Sequence, residues 1–150
     1  MPVIHTAVTR EVLDAAAHEA LVTDPTAGAA VCFTGMIRDH DPEAAGEVTG
    51  IEYTHHPDAD AMLAAMVARV LGDADPRGEA RVAVSHRVGH LDVGELALVC
   101  CVSTPHRAEA FALCSAIVEV IKAELPIWKR QLESDGRTVW SGLGLGEERP

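Results

Sequence analysis

Apolar residues along the chain follow either a helical rhythm or a strict alternation, and the switches between the two mark the elements. Residues 11–22 are helical in pattern, with Val12, Leu13, Ala16, Ala17, Ala20 and Leu21 on one stripe and Asp24-Pro25 ending the run. Residues 3–8 suit a short first strand, and 28–38 alternate through Ala29, Val31, Phe33 and Ile37 as a strand does. A polar loop from Arg38 to Glu43 leads to a second such strand near 49–54. Pro57 opens a helix, where its missing N–H costs nothing, and Met62, Leu63, Met66, Val67, Val70 and Leu71 form its stripe. A turn at 73–78 precedes two strands, 80–88 and 95–103, joined through His90-Leu-Asp-Val. The longest helix is predicted from Thr104-Pro105, threonine as N-cap and proline in the first turn. Its stripe is Ala110, Phe111, Cys114, Ile117, Val118, Ile121 and Leu125, and Pro126 stops it because proline cannot continue the hydrogen-bond ladder. Residues 127–132 and 138–140 then read as closing strands around a Ser-Asp-Gly turn. Helices and strands mix without a regular βαβ repeat, which predicts an α+β fold with a mainly antiparallel sheet and flanking helices.

Composition narrows the function classes. At 150 residues the chain fits one domain with a real core, and with only five aromatic residues its packing falls to alanine, valine and leucine. A single domain over residues 1–141 is expected, with 142–150 as a flexible tail. The net charge of −11 argues against a nucleic-acid partner, since phosphate backbones need an electropositive face. No run approaches a membrane span and the N-terminus has no signal-peptide pattern, so a cytoplasmic protein is expected. Cys32, Cys100, Cys101 and Cys114 lie in apolar stretches without ligand-like spacing and read as buried small hydrophobes; a reactive sulfur carrier would want a cationic setting they lack.

The basic residues carry more information. Ten of the 12 are arginine, and the two lysines, Lys122 and Lys129, flank Pro126 in "KAELPIWKR". Lysine differs from arginine in being able to lose its proton when desolvated or crowded by cations, so a site needing an amine as acid, base or nucleophile could not use arginine. The competing reading is a surface lysine whose stem covers the helix stripe. At the other end of the same predicted helix, His106 and Arg107 sit in the first turn, where free N–H groups and the helix dipole favour an anion; an ordinary ion pair of Arg107 with a nearby carboxylate stands beside that reading. Fifteen residues separate Arg107 from Lys122, roughly 22 Å along a helix. Either they serve different sites or a second copy brings its His106-Arg107 to the first copy's lysines, which predicts a homodimer. His86 and His90 have the spacing of a metal pair but no third ligand, so no metal is assigned. His55-His56 reads as a helix-start pair and Asp39-His40-Asp41 as a solvated loop.

Four segments, "GAAVCFTGMIRDHD" (28–41), "IEYTHHPDADAML" (51–63), "VSHRVGHLDVGELALVCCVSTPHRAEAF" (84–111) and "IKAELPIWKRQ" (121–131), together resemble the large, catalytic subunit of molybdopterin synthase, the MoaE family. The resemblance implies an α/β hammerhead fold and a homodimer carrying a small ubiquitin-like sulfur-carrier subunit at each end, a heterotetramer. It implies that the partner's C-terminal Gly-Gly thiocarboxylate supplies two sulfurs to cyclic pyranopterin monophosphate, forming the molybdopterin dithiolene, with no cofactor. Lys122 and Lys129 then match the lysines on which activity depends. Met36, Ile37 and Arg38 match a substrate-contacting segment, and His106 and Arg107 an anion-binding pair supplied by the neighbouring protomer. Arg130 and Gln131 match further substrate contacts, although Gln131 stands where the family usually has glutamate. A non-catalytic anion- or nucleotide-binding module using the same cations is the alternative.

Overall fold

The computed structural model describes residues 3–41 and 46–142. The N-terminal alternation becomes β1 (Val3–Thr9), followed by α1 (Ala15–Leu21), β2 (Ala29–Met36) and β3 (Val48–His55). Then come α2 (Ala59–Ala74), β4 (Arg81–Arg87), β5 (Gly89–Asp92) and β6 (Leu96–Thr104). The chain closes with α3 (Arg107–Glu124), β7 (Ile127–Glu133) and β8 (Thr138–Gly142). The tail predicted from 142 lies, from 143 onward, outside the described residues.

The strands form two four-stranded sheets, β1-β4-β6-β2 and β5-β3-β7-β8. All pairings are antiparallel except β1 with β4. β4 and β6 are central in the first sheet and covered on both faces, so they read as nearly continuous apolar runs rather than alternating ones. Val82, Val84, Leu98, Cys100 and Val102 pack against Leu63, Val67, Ile117 and Ile121 of α2 and α3. On the opposite face Ala83, Val99 and Cys101 meet Leu13 and Val22 at the ends of α1. A third cluster joins the sheets, with Ile37, Ile51, Tyr53, Val88 and Leu91 at its centre. Each fully buried branched side chain stabilises the fold by about 1.5–3 kcal/mol, which makes these clusters the source of rigidity beneath the site.

Several expectations shift. α1 begins at Ala15, with the Asp14 side chain accepting a hydrogen bond from Ala17 N at 3.1 Å, and buries Leu13, His18 and Val22. Val12 and Leu21 are 74% and 45% exposed, and of the predicted stripe only Leu13 is buried. Histidine took the buried face because both ring nitrogens are bonded, Nδ1 to Asp14 O and Nε2 to Ser85 Oγ, each at 2.7 Å. α2 starts at Ala59, past Pro57, and its Met62 is 37% exposed rather than on the buried stripe. α3 starts two residues later than Thr104-Pro105 predicts. Thr104 still pairs with Ala29 as the last residue of β6, its hydroxyl donating to His106 O at 2.6 Å, and His106 takes the N-cap position. Phe111, placed on the buried stripe of α3, is 62% exposed. The His90 segment is not a plain connection but strand β5, paired with β3; Gly89, at φ +90°, permits the turn out of β4. The cysteine reading needs revision as well. Cys100 and Cys114 are buried thiols, whereas Cys32 is exposed and disulfide-bonded to its cross-strand neighbour Cys101.

Candidate active site

The end of α3 is built to change direction. Leu125 closes the helix, its N–H donating to Ile121 O, and Pro126 prevents another turn. The chain enters the second sheet at Ile127, pairing with β3 so that Lys129 stands opposite Tyr53. Lys122, in the last helical turn, and Lys129, on the strand, thereby line one cleft of about 200 Å³. Ile121, Leu125 and Ile127 give it apolar walls, while Tyr53 and His86 supply the remaining polar lining.

Electrostatics distinguish the two amines. Lys122 remains an exposed residue overall, yet desolvation of its amine and then the charge of Lys129 hold its pKa below the ordinary lysine value. Its position in the last turn of the helix would by itself favour the cation, so burial and like charge win here. Lys129 instead has a carboxylate: its Nζ lies 3.6 Å from Asp41 Oδ2, and both side chains are largely shielded. Asp41 is therefore not part of a solvated loop; it is 9% exposed and ties the segment carrying Arg38 to β7. Across the cleft, burial first and the charge of Lys122 last push His86 down to about 4, while burial pushes Tyr53 up to about 12. Both rings are neutral near pH 7.

The other predicted site residues divide by position. Arg38 and Met36 are exposed at the end of β2, whereas Ile37 is 4% exposed, in the core that joins the sheets. Its N–H donates to Glu95 O, and its carbonyl accepts from Gly94 N. Alternation along β7 turns Arg130 to the face opposite Lys129. There it pairs with Glu52 at 2.5 Å and lies 5.7 Å from the centre of the Trp140 ring. Gln131 shares the Lys129 face but is fully buried, and among the described residues neither of its amide atoms has a hydrogen-bond partner. His106 and Arg107 are exposed beside Gly28 and Pro105, at the opposite end of α3 from the lysines. One chain therefore brings Lys122 and Lys129 together and leaves the His106-Arg107 pair apart.

Sequence reasoning missed Tyr53, His86 and Asp41. The signal for His86 is a titratable residue in a row otherwise filled by Val82 and Val84; Tyr53 is the chain's single tyrosine. Nothing in the pattern of an acidic loop marks Asp41. His86 and His90 do not form a metal pair: His90 is exposed and bonds Asp92 at 2.9 Å. No three His, Cys, Asp or Glu side chains converge as a metal site among the described residues.

A family model described as MoaE protein matches residues 8–124. Molybdopterin synthase catalytic subunit 1 of Mycobacterium tuberculosis is 39% identical over 124 residues, 82% of this chain and 80% of the relative. Among solved structures, molybdopterin synthase from Staphylococcus aureus superposes with a TM-score of 0.78 at 26% identity, covering 93% of this chain and 96% of that one. A complex of subunits 1 and 2 of molybdopterin-converting factor from Helicobacter pylori shares the fold, with a TM-score of 0.67 at 18% identity over 100% of this chain and 94% of that one. The two-sheet fold, the extent of the family match and this likeness together place the chain in the MoaE family.

Proposed function

We propose that the chain is the catalytic subunit of a molybdopterin synthase, with residues 1–141 as one catalytic domain. It moves two sulfurs, one per thiocarboxylated partner tail, onto cyclic pyranopterin monophosphate to form the molybdopterin dithiolene. The partner is a small sulfur-carrier subunit ending in Gly-Gly, docked on a homodimer of this chain in the cytoplasm. Among the described residues no helix is long and apolar enough to cross a membrane. The observation that carries the reading is the convergence of Lys122 and Lys129, from elements separated by Pro126, on one half-apolar cleft.

Two anions must meet in this site, a phosphate and a thiocarboxylate, so cations are needed to offset their repulsion. The tail's sulfur bonds to a substrate carbon as a C–O bond at that carbon breaks, the oxygen leaving as water or as the opened phosphate ester, and a glycyl thioester results. Water then adds to the thioester carbonyl, the acyl C–S bond breaks, sulfur stays on the pterin and the tail departs as a carboxylate. Lys122, with its lowered pKa, is suited to take the proton of that water, stand as an ammonium beside the oxyanion and return the proton to the departing sulfur. Lys129, paired with Asp41, orients the incoming tail. Arg38 and the second copy's His106-Arg107 hold the phosphate and pterin, and Gln131 backs the Lys129 strand. Because His106 and Arg107 lie roughly 22 Å along α3 from Lys122, a complete site needs two copies.

The test supplies thiocarboxylated partner and cyclic precursor and measures dithiolene formation. Product is expected from the wild-type chain and almost none from Lys122→Arg with folding and partner binding intact. A non-catalytic anion-binding module would be unaffected by that substitution, because only charge would matter.

A further inference from the structure

His86 has no place in the roles above. On β4 it follows Val82 and Val84 on the face turned to α2 and α3, where packing alone would favour a third apolar side chain. Instead an imidazole, 4% exposed, ends the row under the last turn of α3. Its Nδ1 is 2.7 Å from Arg87 O; a carbonyl only accepts, so Nδ1 carries the hydrogen. That leaves Nε2 with its lone pair, on a ring that lines the cleft with Lys122. The Tyr53 ring meets the imidazole edge-on, centroids 5.1 Å apart, and fixes its plane.

The groups facing His86 are Lys122 from α3, Tyr53 from β3 and Lys129 from β7, while Val8 of β1 and Leu98 of β6 flank it in the sheet. Both ammonium groups can only donate. Lys129 has Asp41 as its ion-pair partner. A carboxylate for Lys122 would aim it equally well, but would also hold its proton and spoil it as a base. A neutral acceptor aims the amine with a much weaker pull on the proton. We propose that His86 is a positioning residue for Lys122, its Nε2 accepting a hydrogen bond from the lysine amine, directly or through one water, and directing it at the reacting thioester. The role in catalysis rests on the sulfur-transfer reading; the hydrogen bond itself does not.

The chain's two lysines make the test direct. Protein labelled with carbon-13 at the lysine ε position gives two side-chain resonances, assigned with Lys129→Arg, whose titrations are followed separately by NMR. His86→Leu removes the acceptor and is expected to move the Lys122 midpoint down by about one pH unit, leaving Lys129 in place. His86→Asn keeps a donor for Arg87 O but has no acceptor at Nε2, so it should behave like His86→Leu and serves if the leucine variant does not fold. His86→Gln, whose amide reaches the Nε2 position, should restore the midpoint. In the reconstituted reaction the leucine and asparagine variants should lose about tenfold in kcat at unchanged KM for the partner, with glutamine recovering most of it. An unmoved Lys122 midpoint in a folded leucine or asparagine variant overturns the proposal, as does a loss that glutamine fails to repair. If the wild-type protein shows these titrations yet makes no dithiolene, the assigned reaction fails and the hydrogen bond stands.

Discussion

The two ends of α3 carry the same kind of residue in opposite settings. At its start, His106 and Arg107 are exposed beside Gly28, placed to hold an anion by charge and by free helix N–H groups. At its finish, Lys122 enters a cleft with Lys129, Tyr53 and His86, where burial and like charge lower its pKa. In the proposed reaction the first end binds and the second moves a proton. Arginine suffices for the one; the other requires an amine that can exist in both protonation states. The sharpest way to break this contrast is Lys122→Arg against Arg107→Lys. The first should lower the rate of dithiolene formation by roughly 10²–10⁴-fold without changing partner affinity, the range for loss of a positioned acid–base group. The second, keeping a cation at the binding end, should act mainly on KM for the precursor. Single-turnover and steady-state kinetics on the reconstituted enzyme separate the two.

The finishing end should also answer to acid. His86 is buried with its pKa pushed from 6.5 to about 4, so between those values the unfolded chain binds the extra proton. Its contribution to stability is fully present above about pH 6.5 and lost as pH falls to about 4, on the order of 3 kcal/mol in all. His86→Gln should flatten urea-unfolding stability across that window; a slope equal to the wild type's would place the acid sensitivity elsewhere. Lys122 works in the same sense at higher pH. Its lowered pKa means that stability rises with pH from that value towards the ordinary 10.5, as the cost of burying its charge disappears.

What the sequence conveyed about these ends differs for a physical reason. The paired lysines, the Pro126 break and the helix between them were legible because composition and periodicity act locally. The cleft's other wall was not. His86 and Tyr53 reach it from strands of different sheets, Asp41 meets Lys129 from a loop, and these meetings depend on how the sheets pack. The same limit moved the start of α3. Thr104-Pro105 is a sound local cap signal, but pairing of Thr104 with Ala29 kept it in the sheet. Arg130, adjacent to Lys129, was carried to the opposite face by simple alternation and paired with Glu52.

A smaller effect tests whether the ends belong to different copies of one site. Mixed dimers of an Arg107→Ala protomer and a Lys122→Arg protomer would contain one doubly damaged and one intact site. Refolding the two inactive variants together in equal amounts should therefore recover about a quarter of wild-type activity, half the dimers carrying one of two sites. If both ends served a site within one chain, no mixture would recover anything.

The smallest effect on rate is expected from the cysteines. All four lie on β2, β6 and α3, away from the lysine cleft, and sulfur arrives on the partner in the proposed reaction. Replacing Cys32, Cys100, Cys101 and Cys114 together should cost about 2–4 kcal/mol of stability through loss of the Cys32–Cys101 bond, with some added loss of packing around Cys100 and Cys114. Dithiolene formation, measured below the variant's unfolding temperature, should be unchanged within error. A protein that folds but no longer transfers sulfur would mean that a thiol of this chain carries it, and the lysine cleft would then have to be reread as a site that only holds the substrate.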